Sequence, residues 1–215
     1  MNDARRKFKR ETADQRKEAL IQATLSLVAE KGVRGATVRA IAERADVTQG
    51  LIRHYFSTKE ELVTAAYETH MTEMTDLTFT IAAKVQGTAR DHLAALVRTS
   101  LEPPVADPRA VALWASFLNK VQQDAQMKAT HERTYADFRD RLQDLIRAAL
   151  DEAGQSVSDT RLHHLATACN GVIDGLWLEG GALPDAFAPG ELPGIGVESV
   201  GAIIGLDLEQ RANQP

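Results

Sequence analysis

Residues 37–62, TVRAIAERADVTQGLIRHYFSTKEEL, carry apolar residues at helical spacing but break that spacing twice, at ADVT and at FSTKEE. Two short helices back to back are the consequence, and helices so short are marginal without something to pack on. Val38, Ile41 and Ala45 line one side of the first. Ile52 and Phe56, four apart, line one side of the second. Thr37 and Thr48 stand where N-caps belong. Capped helices of this length exist to hold a surface in place, and Gln49, Arg53 and His54 lie on that surface.

The remainder of the chain also reads as helix. Val/Ile/Thr alternation and hairpin dipeptides between strands are missing. Thr12 and Gln15 predict a capping-box start, and Gly32 a stop. Ser57 and Glu60 predict a second capping box, opening a helix from Thr58 towards Gln86. Gly87 and Thr88 punctuate, and the next helix ends near Leu101. Asp107 caps a helix with Pro108 at its first position, where the missing N–H costs nothing. Helices near 108–122, 125–153, 159–180 (capped by Ser158) and 195–205 follow, with 183–194 a loop. The expected fold is all-α, with about nine helices. The expected domains are residues 1–56, a basic arm and a three-helix helix-turn-helix domain, and residues 57–215, a larger helical domain.

A net charge of −5 argues against nucleic acid until it is divided. Residues 1–62 hold 13 Lys+Arg against 9 Asp+Glu, and residues 63–215 hold 12 against 21. A basic end on an acidic body suits a chain whose one end meets a polyanion, although a solubilising tail reads the same way. Cys169 is the only cysteine, which fits a reducing compartment. The first twenty residues lack an apolar stretch of signal-peptide length, and no run reaches the ~18 apolar residues of a membrane span. A cytoplasmic protein with no membrane partner is expected.

A helix, a tight turn and a second short helix make a helix-turn-helix, whose second helix fits the major groove. Gln49 and Arg53 share a face, and their side chains suit paired contacts to adenine and guanine edges. Thr37, Thr48, Tyr55 and Lys59 suit phosphate oxygens. Arg39, Gly50, Leu51 and His54 complete the expected contact surface, with Arg5, Arg6, Lys7, Lys9 and Arg10 upstream. On spacing alone, any two capped helices of an α-helical protein could look like this.

The same residues resemble the DNA-binding signature of the TetR family of bacterial repressors. The matches are Thr37, Ile41-Ala42, Ala45, Val47-Thr48, Gly50, Tyr55-Phe56, Lys59 and Leu62. Asp46 departs from the usual Gly but tolerates a left-handed backbone. Arg53 stands where an aromatic is frequent, which suggests a different operator. ALWASFLNK and GVIDGLWLEG resemble helices of the BetI-type subgroup, named for the choline-responsive repressor of betaine synthesis. The resemblance implies a homodimer on a near-palindromic double-stranded operator, released by a small-molecule effector in the larger domain.

It also implies a dimer contact on the last two long helices. Ala168, Gly171 and Gly175 form a smooth stripe there, and Gly196, Gly201 and Gly205 slim the last helix. Close packing within one subunit explains the same residues. Trp114 and Phe117 share a helical face, and Tyr135 and Phe138 another. With Asp174 and Trp177 they form a candidate site for a cationic effector, since aromatic faces and a carboxylate attract a cation. Plain core is the competing reading of the aromatics.

No cofactor, metal or catalytic site is expected. His163 and His164 are adjacent and point apart on a helix, and Cys169 aligns with neither. Gly-x-Ser-x-Gly, phosphate-loop and His-Glu-x-x-His motifs are missing. The alternatives left open are a ligand-blind DNA-binding protein and an α-helical enzyme using Asp174, His164 or Cys169.

Overall fold

The computed structural model describes the backbone of residues 3–209 and the side chains of residues 13–209. Among them are nine α-helices and no strand. They are α1 (Asp3–Gly35), α2 (Val38–Arg44), α3 (Gln49–Tyr55), α4 (Lys59–Ala82), α5 (Ala89–Ser100), α6 (Pro108–Val121), α7 (Ala125–Glu152), α8 (Asp159–Ala182) and α9 (Glu191–Ile204). A 3₁₀ turn, Pro184–Ala186, lies between α8 and α9.

The chain divides into two compact units, Met1–Met71 with Ala112–His131, and Thr72–Val111 with Glu132–Pro215. Each has its own apolar core. In the first, Leu20, Leu27 and Val28 of α1 meet Ile41 of α2, Ile52 of α3, and Phe56, Leu62 and Tyr67 around α4. Phe117 and Met127 complete it. In the second, α9 packs between α5 and α8. Leu93, Leu96 and Val97 of α5 are buried there with Leu142, Ile146, Leu165, Cys169, Ile173, Val197 and Val200. Burial lifts the Cys169 thiol to about 12, so it is held as an inert thiol.

Element ends follow the caps. Thr37 Oγ1 accepts from the Ala40 amide at 3.2 Å, and Thr48 Oγ1 from the Leu51 amide at 3.3 Å. Thr88 and Asp91 form a full capping box. Asp107 accepts from the Ala110 amide, and Ser158 from the Arg161 amide, both as expected. Gly32 takes φ 68° and breaks helical geometry, although the helical run continues to Gly35.

Four boundaries differ from the sequence reading. The backbone is helical from Asp3, so Thr12 lies within α1 and does not start it. The cap of α4 is shifted by one residue: Thr58 Oγ1 accepts from the Glu61 amide at 3.0 Å, and Glu61 Oε2 from the Ser57 amide at 2.7 Å. α4 ends at Ala82, because Lys84 and Val85 turn back with short bonds to Ile81 and Ala82 and the His92 ring holds the Val85 carbonyl at 2.9 Å. α9 starts at Glu191, since Gly190 supplies φ 80° and Pro193 falls in the first turn, where its missing N–H is harmless.

Candidate functional site

The link between α2 and α3 is a Schellman turn. The Val47 amide donates to the Ala42 carbonyl at 3.0 Å, and the Asp46 amide to the Glu43 carbonyl at 3.4 Å. Asp46 sits at φ 52°, the left-handed position that glycine or a short polar residue fills. Ile52 and Phe56 are buried beneath α3, each contributing about 1.5–3 kcal/mol by removal from water. Their burial turns Thr48, Gln49, Gly50, Arg53 and His54 outward into full exposure. Leu51 and Tyr55 are half-buried at the edge, with the Tyr55 ring edge-on to His54 at 5.1 Å.

In front of the turn lies a shallow depression of about 510 Å³, lined by Arg39, Ala42, Glu43, Asp46, Val47, Thr48 and Gln49. Of the expected contact residues, Arg39, Thr48 and Gln49 share this depression. Gly50 has ample space for a Cβ, with only Thr48 Oγ1 nearby at 3.8 Å. Its lack of a side chain is therefore not demanded by the protein's own packing.

Three polar links lie at this surface, and none of them was read from the sequence. Arg44 donates to both carboxylate oxygens of Glu30 at 2.8 Å and to Ser26 Oγ at 2.6 Å, tying α2 to α1. The Arg44 guanidinium, helped by Ser26, holds the Glu30 carboxyl down at about 2. Arg39 Nε donates to Glu43 Oε1 at 2.8 Å along α2, a link the spacing of four could have revealed. The Lys59 ammonium, expected at phosphate, donates one hydrogen bond to the Val33 carbonyl at 3.2 Å and joins α4 to the end of α1. The side chains of the basic arm lie outside the described residues.

The six candidate effector residues are divided between the units. Trp114 and Phe117 belong to the first, and Tyr135, Phe138, Asp174 and Trp177 to the second. Phe117 is fully buried and packs on Tyr67 at 5.0 Å between ring centres, so it is core. Trp114 and Tyr135 are half-buried. Phe138 is half-buried with its ring edge-on to Phe79 at 5.5 Å. On α8, Asn170 Nδ2 donates to Asp174 Oδ2 at 3.0 Å. Burial raises the Asp174 carboxyl to about 6 in spite of that bond. Trp177, one turn on, donates Nε1–H to the Val105 carbonyl at 2.8 Å.

Ala168, Gly171 and Gly175 are exposed, and a Cβ on either glycine would meet nothing within 4 Å. Gly201 is different. It is buried against its own chain, where a Cβ would lie 2.6 Å from the Leu206 carbonyl. It belongs to internal packing, a correction to its expected place at the dimer contact. Gly196 likewise faces Leu101 and Val97. Among the described residues no group of His, Cys, Asp or Glu could hold a metal, and no helix is long and apolar enough to cross a membrane.

Comparison with known proteins identifies the family. The family described as bacterial regulatory proteins, tetR family, matches residues 20–66. The family described as BetI-type transcriptional repressor, C-terminal, matches residues 89–205. The chain belongs to the BetI-type branch of the TetR family. This BetI-type chain is 30% identical over 185 residues to the HTH-type transcriptional regulator BetI 2 of Chromohalobacter salexigens, covering 82% of each. It superimposes on a transcriptional regulator from Pseudomonas aeruginosa PAO1 with a TM-score of 0.78 at 31% identity, covering 89% of both chains. A regulator from Saccharomonospora viridis, solved in complex with choline, shares the fold at a TM-score of 0.71 and 15% identity, covering 89% and 96%. The chain is a DNA-binding transcriptional repressor of the helix-turn-helix type, from a family of ligand-responsive regulators that bind operators as dimers.

Proposed function

We propose that α3 enters the major groove and that Gln49 and Arg53 read bases there, with Gly50 letting DNA approach the backbone. The observation that carries this is the outward face of α3, where Gln49, Gly50, Arg53 and His54 are all exposed above a buried Ile52. Thr37, Arg39, Thr48, Leu51, His54 and Tyr55 meet the sugar-phosphate backbone at its sides, where contacts position without reading sequence. Lys59 takes part chiefly by holding α4 to α1. The repressor works in the cytoplasm, where its operator lies. Domain roles follow the sequence reading: residues 1–56 bind DNA, and residues 57–215 bind effector and partner copy.

Two copies join through α8, where Ala168, Gly171 and Gly175 offer a smooth exposed stripe. A two-fold dimer matches a near-palindromic site. The effector is a small cation held near Asp174 and Trp177, with Tyr135 and Phe138 of the same unit as further aromatic surface. What supports this is a half-buried carboxylate whose hydrogen-bond partner, Asn170, is neutral. A partly desolvated carboxylate without a charged partner gains from an incoming cation. The same fold in the Saccharomonospora viridis regulator accommodates choline. Another neighbour of this fold, a Bacillus subtilis regulator, holds stearoyl-CoA, so the Asp174 carboxylate and not the fold favours a cation. Calorimetric titration with choline, glycine betaine and betaine aldehyde tests it. Binding in the millimolar range or tighter, lost in Trp177→Leu, is expected. No heat with any of the three removes the cationic effector.

A further inference from the structure

The DNA-facing surface carries less free positive charge than its composition suggests. Between residues 37 and 59 stand four cations, Arg39, Arg44, Arg53 and Lys59, and two carboxylates, Glu43 and Asp46. Arg44 is neutralised by Glu30, while Lys59 keeps its charge but is turned towards the Val33 carbonyl. Arg39 is paired with Glu43 on its own helix while both side chains stay mostly exposed. Asp46 is exposed as well, and both carboxylates line the depression that ends at Thr48 and Gln49.

Neither carboxylate is required by the fold. An exposed pair four residues apart on a helix contributes little to stability. The left-handed position of Asp46 needs glycine or a short polar side chain, and asparagine serves as well without the charge. Two negative charges therefore stand on a surface that approaches a polyanion, with no structural duty to explain them. We propose that Glu43 and Asp46 act as a brake on phosphate affinity, keeping the recognition surface near neutral so that base contacts decide where the repressor stays. The proposal rests on the reading of α3 given above.

Binding to random DNA comes almost entirely from released counterions, one for each phosphate neutralised. Removing Glu43 from each head frees Arg39 to neutralise phosphate, worth about fivefold in affinity at 0.15 M salt, and removing Asp46 takes away one repulsive charge beside it. Base contacts by Gln49 and Arg53 add on top of that, untouched by the carboxylates.

The test uses the full-length protein and two duplexes of equal length and composition. One is selected by the wild-type protein from a random pool, and the other is its scrambled version. Fluorescence anisotropy is read across a salt series for Glu43→Gln and Asp46→Asn, with thermal melts to confirm folding. Glu43→Gln is expected to bind the scrambled duplex about fivefold more tightly per head, with a salt slope steeper by about one per head, and Asp46→Asn to bind it more tightly by loss of repulsion, both with an unchanged melt. Scrambled-duplex affinity that stays level or falls in both variants overturns the proposal. Gln49→Ala is measured beside them: an equal loss on both duplexes defeats the α3 reading, whatever the two carboxylate variants do.

Discussion

Arg44 and Glu30 meet through two parallel hydrogen bonds of 2.8 Å, the bidentate form in which a guanidinium matches a carboxylate. This pair fixes the angle between α2 and α1, and through α2 the position of α3. Because the Glu30 carboxyl is held at about 2, against 4.5 unperturbed, the pair supports the fold above pH 4.5. That support is lost as the pH falls through the window down to about 2. Arg44→Ala should melt below the wild type at pH 7, and the two should converge near pH 2. An equal gap at both pH values would assign the loss to packing instead.

Asp46 stores a different feature, the left-handed turn between α2 and α3. Asp46→Ala should cost about 1 kcal/mol, the penalty of a Cβ without a helpful polar group at positive φ, while Asp46→Gly should cost nothing. Urea unfolding of the two variants checks the difference. Equal losses in both would show that the carboxylate, and not the backbone angle, matters there.

Asp174 gives a pH dependence of the opposite sign. Its carboxyl rises from 3.8 to about 6, so the folded chain holds this proton more tightly than the unfolded one. Ionising it works against the fold, and stability is lost as the pH rises from 3.8 through 6, by about 3 kcal/mol in total. Asp174→Asn should match the wild type near pH 4 and exceed it at pH 7. A variant that is weaker at pH 7 would mean the carboxylate already has a compensating charge.

How far the sequence was legible depended on the range of the interaction. Caps involving neighbours in sequence, such as Thr37, Thr48, Asp107 and Ser158, were readable because donor and acceptor lie within one turn. The α2–α3 turn was readable from the break in helical spacing, and the family resemblance pointed to positive φ at Asp46. The Glu30–Arg44 pair and the Lys59–Val33 bond join residues 14 and 26 apart, and nothing in the local pattern marks them. Phe117 shows the same limit: its place in an apolar stripe was clear, but only its contact with Tyr67 reveals that it is core. Gly171 and Gly201 look alike in sequence, yet one faces open space and the other its own backbone.

That contrast yields a test of assembly. Gly175→Leu should leave the melt of the isolated chain intact, since nothing lies within 4 Å of the added carbon, but should shift sedimentation from dimer to monomer. Gly201→Leu should damage folding itself, because the side chain has to displace the Leu206 carbonyl. A dimer that survives Gly175→Leu would place the contact on another face.

The claim that everything else serves is that α3 reads sequence. Gln49→Ala and Arg53→Ala, titrated by anisotropy against the selected duplex and its scrambled counterpart at fixed salt, measure it most directly. Each variant should lose about 1–3 kcal/mol on the selected duplex and almost nothing on the scrambled one. Equal losses on the two duplexes would contradict it, and would make α3 a phosphate clamp without a reading role.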